Sequence, residues 1–176
     1  VIVRDKADML AGFDLTPNAL AAADVSAQAK KFMVNMNAAT SVITTKSPYM
    51  VRTSFTVWQL NESLGTWAYR NGVRKVYTLV SDYGPGIDAE NTFKKAFAAA
   101  GGKIVGDVRV PLRNPDFAPF LQRIKDARPA AVFIFLPAGE QPVAFMKGFA
   151  EQLSRQDMQD VAAWFSGQPA KLETRH

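Results

Sequence analysis

The sequence predicts an α/β fold, with parallel sheets that carry helices on both faces. Between residues 73 and 150, stretches that are apolar on both sides of an extended chain alternate three times with stretches of helical periodicity. Strand–helix units repeated in this way form parallel sheets with right-handed crossovers. Residues 1–46 begin a similar alternation, and 48% of the 176 residues are hydrophobic, which is enough for a buried core.

The first part of the chain contains two predicted strands and two predicted helices. Asp8 to Phe13 and Phe32 to Met36 are the strands, and the Ala-rich stretch from Asn18 to Lys30 is a helix. Ser47 to Phe55 is predicted to be extended, and Trp58 to Arg70 is predicted to be helical. The residues expected to face inward from that second helix are Leu60, Leu64, Trp67 and Ala68.

The second part predicts three strands, over Val73 to Val80, Lys103 to Val110 and Ala130 to Leu136, the last being an apolar run typical of a buried strand. Each is followed by a predicted helix. The first comes after a Gly84-Pro85-Gly86 turn, the second is capped by Asn114, and the third begins at about Gln141. The apolar residues expected to face the core are Phe93, Ala96, Phe97, Ala100, Phe117, Phe120, Leu121 and Ile124, with Met33, Met36 and Met146 filling gaps.

Composition excludes several classes of function. The chain has no cysteine, which excludes disulfides, thiol nucleophiles, iron–sulfur clusters and covalently attached haem. Its single histidine, His176, is the last residue, so neither a histidine metal site nor a Ser-His-Asp triad is expected. The net charge of +5 comes from scattered basic residues, which does not favour nucleic-acid binding. Neither a run of about 18 apolar residues nor a signal-peptide pattern is present.

Three loops at the predicted carboxyl ends of strands are candidate binding sites, because open parallel sheets bind ligands there. The loop 12–18 joins a strand to a helix, and the loop 37–41 has small residues whose backbone N–H groups and hydroxyls can hold a carboxylate. The loop 81–86 carries an aromatic residue beside two glycines. Each can also be an ordinary capped turn. A small α/β enzyme that uses the loop 81–86 for a phosphorylated substrate stays an alternative, although neither common phosphate-loop pattern occurs.

Five short segments, taken in order, are similar to one protein family. They are Leu15-Thr16-Pro17-Asn18-Ala19, Asn37-Ala38-Ala39-Thr40-Ser41, Ser81-Asp82-Tyr83-Gly84-Pro85-Gly86, Asn114-Pro115-Asp116-Phe117 and Pro137-Ala138-Gly139-Glu140-Gln141. Over about Val3 to Gln152 the chain resembles the type 1 periplasmic binding proteins, and among them the branched-chain amino-acid (Leu/Ile/Val) receptors of ABC importers. The resemblance implies a non-catalytic periplasmic protein without a cofactor, in which two α/β lobes joined by a hinge hold a ligand for an ABC permease.

The resemblance also implies roles for individual residues. In the first lobe, the residues expected to contact the ligand carboxylate or shape its pocket are Thr16, Asn18, Ala38, Ala39, Thr40 and Ser41. The backbone N–H groups and hydroxyl of Ala38 and Thr40 are the expected carboxylate donors. Tyr83 matches the second-lobe aromatic residue that closes over the ligand. Pro137 and Ala138 stand where the family often has a larger aromatic side chain, so a small aromatic or aliphatic carboxylate is expected as readily as an amino acid.

The predicted organisation follows from these matches. Residues 1–46 form a partial first lobe, 47–72 a crossover with the first helix of the second lobe, 73–153 the second lobe, and 154–176 an atypical C-terminal helix and tail. The first lobe is expected to lack its opening strands, which leaves the edge of the Asp8–Phe13 strand unpaired and promotes self-association. The chain is interpreted as a fragment, a chimera or a truncated relative, and a truncated interaction or regulatory module is a further alternative.

Overall fold

The computed structural model describes residues 2–113, 115–151 and 156 of the chain. Its strands form two three-stranded sheets in which every pair is parallel, as predicted. The first sheet has the order β1 (Met9–Gly12), β2 (Phe32–Asn35) and β3 (Met50–Arg52). The second has the order β5 (Lys103–Val110), β4 (Lys75–Ser81) and β6 (Ala131–Phe135). The carboxyl ends of both sheets can therefore supply ligand-binding loops.

Six α-helices and one short 3₁₀ helix connect the strands within the described ranges. They are α1 (Ile2–Asp5), α2 (Thr16–Ala29), the 3₁₀ helix Ile43–Thr45, α3 (Val57–Arg70), α4 (Gly84–Ala99), α5 (Ala118–Ala127) and α6 (Glu140–Ala150). We call the first sheet with α2 the first lobe, and the second sheet with α3 to α6 the second lobe. No helix of the described part is long and apolar enough to cross a bilayer.

Two predicted helix starts differ from the structure. The Gly84-Pro85-Gly86 segment, predicted as a turn before a helix, is the first turn of α4 itself, since proline fits the first helical turn, where its missing N–H needs no partner. At α5, the backbone N–H of Ala118 donates to Asp116 Oδ1 at 3.0 Å, so Asp116 provides a side-chain acceptor at this end of the helix. Asn114, the predicted cap, lies outside the described residues, as do all residues of the helix predicted from residue 154 except Gln156.

Helix α3 buries a different face from the predicted one. Leu60, Leu64 and Trp67 are 52%, 42% and 59% exposed, whereas the buried positions are Val57, Asn61, Gly65 and Ala68. The cause is close packing on α4: a Cβ at Gly65 would lie 2.9 Å from the carbonyl oxygen of Phe93. Small residues let the two helix backbones approach, so the larger apolar side chains of α3 point outward.

Helices cover both faces of the second sheet, as the apolar pattern of β4 predicted. On one face, α3 and α4 pack through Val57, Ala68, Val76, Val80, Ala89, Phe93, Phe97 and Phe133. On the other, α5 and α6 pack through Tyr77, Leu79, Val108, Val110, Phe117, Leu121, Ile124 and Phe145. Successive residues of β4 thus belong to opposite cores, as the alternation of a strand requires.

Besides the three residues of α3, three more apolar residues predicted to be buried are exposed, namely Met36, Met146 and Ile134. Met33 lies in the core of the first lobe, but Met36 and Met146 are each 57% exposed. Ile134 in β6 is 40% exposed, because β6 pairs with β4 on one side and has no second neighbour in the described residues. Strand β1 likewise pairs only with β2 among these residues. Self-association through the β1 edge stays a prediction.

Candidate functional site

A cavity of about 480 Å³ lies between the loops at the carboxyl ends of the two sheets. Leu15 and Pro17 line it from the first lobe, and Tyr83, Pro137 and Ala138 line it from the second. The structure therefore brings together three of the residues predicted from the sequence. Much of the lining is apolar, so the cavity can bury the body of a small organic molecule.

Two threonine hydroxyls form a buried pair beside this cavity. Thr16 Oγ1 and Thr40 Oγ1 lie 2.7 Å apart, and the two residues are 3% and 6% exposed. Gly84, at the start of α4, faces the pair from the second lobe, where a Cβ would lie 3.8 Å from Thr16 Cγ2. One hydroxyl hydrogen is used within the pair, which leaves the other free to donate to a ligand.

The loop after β2 corrects one predicted role. The backbone N–H of Ala38 donates to the carbonyl oxygen of Phe13 at 2.9 Å, so this donor, expected to bind a carboxylate, is already used. The N–H groups of Ala39 and Thr40 meet no acceptor among the described residues. Asn35 stabilises the loop by donating from Nδ2 to the carbonyl oxygen of Ala38. The available backbone donors are therefore those of the two residues that follow Ala38.

The lining, which Leu15 and Pro17 provide on the first-lobe side, includes none of the six first-lobe residues predicted to contact the ligand. Asn18 is exposed on α2. Ser41 contacts the other lobe instead, because its N–H and its Oγ both donate to Asp88 Oδ2, at 3.0 and 2.8 Å. Arg52 donates to the carbonyl oxygen of Thr40 at 2.8 Å and holds the same loop from the opposite side. The side chain of Ser41 thus links the first lobe to α4.

Tyr83 stands at the N-cap position of α4, with extended backbone. Burial raises the pKa of its phenol, and the nearby carboxylate of Asp14 raises it further, so the hydroxyl stays protonated and can donate. The close approach of the first turn of α4 to the end of β4 requires Gly86, since a Cβ there would lie 2.0 Å from the carbonyl oxygen of Ser81. This glycine allows the backbone to turn directly after β4 and brings the aromatic ring to the cavity.

The sequence interpretation missed several residues of the second-lobe wall. Leu112, Arg113, Glu140 and Gln141 also line the cavity. Leu112 and Arg113 follow the end of β5, so the carboxyl-end rule that selected three other loops could have selected this loop too. Within the described ranges, no cluster of acidic or histidine side chains could hold a metal ion.

A family model described as periplasmic binding protein matches residues 1–174. The chain belongs to the periplasmic binding protein family. A curated relative, Leu/Ile/Val-binding protein homolog 6 of Brucella melitensis, is 50% identical over 151 residues, which cover 86% of this chain and 39% of the relative. The chain therefore spans about two fifths of the length of this relative. Members of this family bind solutes rather than transform them, which argues against the alternative of an α/β enzyme.

Two solved structures support the same fold for this periplasmic binding protein chain. A solute-binding protein of an ABC transporter from Rhodopseudomonas palustris BisB5, in complex with 3,4-dihydroxybenzoic acid, is 58% identical with a TM-score of 0.81. The match covers 86% of this chain and 41% of that one. A second R. palustris solute-binding protein, in complex with 4-hydroxybenzoate, is 48% identical with a TM-score of 0.83, over 91% and 42% of the two chains.

Proposed function

We propose that this chain is part of a periplasmic solute-binding component of an ABC importer, and that its cavity binds an aromatic monocarboxylate. One observation carries the proposal: the unused N–H groups of Ala39 and Thr40, with the Thr16–Thr40 hydroxyl pair, stand beside a largely apolar cavity. Relatives at 58% and 48% identity that hold hydroxybenzoates support the choice of ligand.

The first lobe binds the carboxylate in this proposal. The N–H groups of Ala39 and Thr40 and the free hydroxyl hydrogen of the threonine pair donate to its oxygens, and hydrogen bonds to an ionised acceptor are stronger than neutral ones. Ala38 shapes this part of the site through its buried side chain, which is 2% exposed, and not through its N–H. Several donors together share the charge of the anion, and the guanidinium of Arg113 adds a positive charge on the second-lobe side of the cavity.

The second lobe covers the aromatic ring. Tyr83 packs against the ring as an aromatic neighbour, and such pairs contribute about 0.5–1.5 kcal/mol beyond the buried area. Pro137 and Ala138 are small enough to leave room for a flat ring. A ligand that contacts both lobes binds the closed arrangement more tightly than the open one and therefore shifts the population toward closure.

A branched-chain amino acid is the second candidate, and Glu140 favours it. This carboxylate lines the second-lobe side of the cavity and can pair with an α-ammonium group. Two other acidic side chains near the loops already have partners: Asp14 accepts from Asn37, and Asp88 accepts from Ser41. The largely apolar lining and the relatives that hold hydroxybenzoates nevertheless lead us to favour the aromatic acid.

The test is calorimetry and thermal shift at up to millimolar ligand, with 4-hydroxybenzoate, its methyl ester, leucine and isoleucine. We expect the acid to bind more tightly than either amino acid and the ester to bind weakly or not at all. Thr40→Ala should weaken binding of the acid by about 1–3 kcal/mol, the cost of losing a charge-assisted hydrogen bond. Thr45→Ala is the matched control, because Thr45 is exposed on the 3₁₀ helix.

Equal affinity for the acid and its ester would contradict the carboxylate site. Tighter binding of leucine than of 4-hydroxybenzoate would replace the aromatic acid by the amino acid as ligand. Binding of neither class, with a folded sample, would contradict the proposed function for this chain.

A further inference from the structure

Gln141 contacts the ends of two strands at the edge of the second sheet that faces the cavity. Gln141 lies near the start of α6. It is only 8% exposed, although it forms part of the cavity lining. Its side chain contacts segments at the ends of the other two strands of this sheet. These are Ser81, the last residue of β4, and Pro111 and Leu112, which follow β5.

The orientation of the Gln141 amide is fixed by these partners. Nε2 lies 2.5 Å from the carbonyl oxygen of Leu112 and 3.3 Å from that of Pro111, and carbonyl oxygens only accept. Oε1 therefore faces Ser81 and accepts from its hydroxyl at 2.5 Å. Both amide hydrogens and the oxygen are engaged, so this side chain has little left to offer a ligand directly.

Each segment that Gln141 joins carries part of the second-lobe wall. Tyr83 follows Ser81 by two residues, and Leu112 itself lines the cavity. Pro137 and Ala138 precede α6, so the helix that carries Gln141 fixes their position too. One amide thus contacts the ends of β4 and β5 from the start of α6, and all three segments carry residues of the wall.

We propose that Gln141 is a positioning residue, which holds the loops of Tyr83, Leu112 and Pro137 in one wall of the cavity. The proposal rests on the proposed function only where it calls this wall a ligand-binding surface. The hydrogen bonds themselves predict a measurable effect in the ligand-free chain. Without them, the loops fluctuate independently, because buried polar groups that lose their partners drive local opening.

Amide hydrogen exchange of the ligand-free chain tests this directly. The N–H of Asp82 donates to the carbonyl oxygen of Val110, across the ends of β4 and β5, and the N–H of Tyr83 donates to that of Ser81. In Gln141→Leu, which keeps a similar volume without polar atoms, both amides should exchange about tenfold faster than in the wild type. This factor corresponds to the loss of about one hydrogen bond. The amides of Val76 and Leu79, within β4, should change much less.

Asn61→Leu is the matched control, because Asn61 is also a buried amide, 5% exposed, whose Nδ2 donates to the carbonyl oxygen of Val57 inside α3. It should lower stability without a selective effect on Asp82 and Tyr83. Ser81→Ala removes one of the three contacts and should give a smaller selective effect. This variant also provides a test of the proposal if Gln141→Leu does not fold.

Equal acceleration of all amides in Gln141→Leu would show that Gln141 contributes to global stability only and would overturn the proposal. No acceleration at Asp82 and Tyr83 in either variant would overturn it as well. A titration with 4-hydroxybenzoate then tests whether the wall contributes to ligand binding. The Gln141→Leu variant should bind 4-hydroxybenzoate at least several-fold more weakly than the Asn61→Leu variant. If the wild type binds no carboxylate, the proposed function fails, while the exchange result still decides the role of Gln141.

Discussion

Replacement of Glu90 by glutamine should destabilise the second lobe in a pH-dependent way. Glu90 is 1% exposed on α4, and its carboxylate has three polar partners. Lys94 Nζ lies 2.8 Å from Oε1, Arg109 Nε lies 2.8 Å from Oε2, and Thr78 Oγ1 donates to Oε1 at 3.1 Å. Lys94 also reaches Asp107 at 3.0 Å, so the network ties α4 to both β4 and β5.

The size of the effect follows from the exposure of the partners. Breaking a fully buried ion pair costs about 3–5 kcal/mol. The side chains of Lys94 and Arg109 are 26% and 41% exposed, so water can partly solvate both cations after the carboxylate is gone. Glutamine keeps the volume and an oxygen for Thr78. We therefore expect Glu90→Gln to lower the free energy of unfolding by about 2 kcal/mol at pH 7, below the fully buried case.

The pH dependence has a definite sign. Burial by itself raises the pKa of Glu90, but hydrogen bonds from Lys94 and Arg109 outweigh it and hold the pKa below its ordinary value. A carboxyl group whose pKa is depressed in the folded state stabilises the fold above its unfolded pKa, about 4.3 for glutamate. This contribution is lost as the pH falls through the lower, folded-state pKa. The difference between the wild type and Glu90→Gln should therefore be largest above about pH 5.

Urea unfolding followed by circular dichroism measures this difference. The pH series runs from about 3 to about 8, so that it includes the region near pH 4 where carboxyl groups titrate. Glu62→Gln is the control, since Glu62 is exposed on α3, and it should change the free energy of unfolding by less than about 0.5 kcal/mol. A loss in Glu90→Gln that stays constant down to the lowest pH would refute the reasoning. It would mean that packing, and not the charge of Glu90, provides the stability.

Three further changes test the site. Tyr83→Ala should weaken ligand binding through faster release and leave the melting temperature of the ligand-free chain nearly unchanged; a large fall in that temperature would instead identify a core residue. Gly86→Ala should destabilise the second lobe by about 2 kcal/mol or more, because its Cβ would clash with the carbonyl oxygen of Ser81, and thermal unfolding measures the loss. Asp88→Asn should weaken the contact with Ser41 and speed ligand release in stopped-flow measurements; unchanged release would show that the contact has the same strength in the open and closed arrangements.

Local patterns were sufficient to predict the sheets. Strand β4 is apolar on both faces, and that is the arrangement of a parallel strand between two helix layers. The predicted bounds of β5 agree with the structure because the strand lies between a Gly-Gly segment and a proline. The inward face of α3 was not predictable in this way. It depends on how closely α4 approaches Gly65, and that distance is a tertiary property.

The candidate site shows the same division between local and distant information. The rule that ligands bind at carboxyl ends of parallel strands located the loops of Thr40 and Tyr83, because it depends only on the order of strands and helices. Which donors are free in those loops depends on distant partners. Phe13 occupies the N–H of Ala38, and Asp88 occupies that of Ser41, 47 residues away in the chain.

The two lobes contribute different chemistry to the cavity, and this division limits what the proposed ligand can be. The first lobe offers N–H and hydroxyl donors at Ala39, Thr40 and Thr16 beside the cavity. The second lobe offers the ring of Tyr83 and several apolar side chains, with the charged side chains of Arg113 and Glu140 also in the lining. A small polar acid such as acetate would satisfy the donors and leave the apolar wall without a partner. A hydrocarbon would do the reverse and leave buried donors unsatisfied, which is costly. Only a molecule with a carboxylate at one end and an apolar body at the other favours closure of both lobes at once, because closure is stabilised only by contacts that the open arrangement lacks.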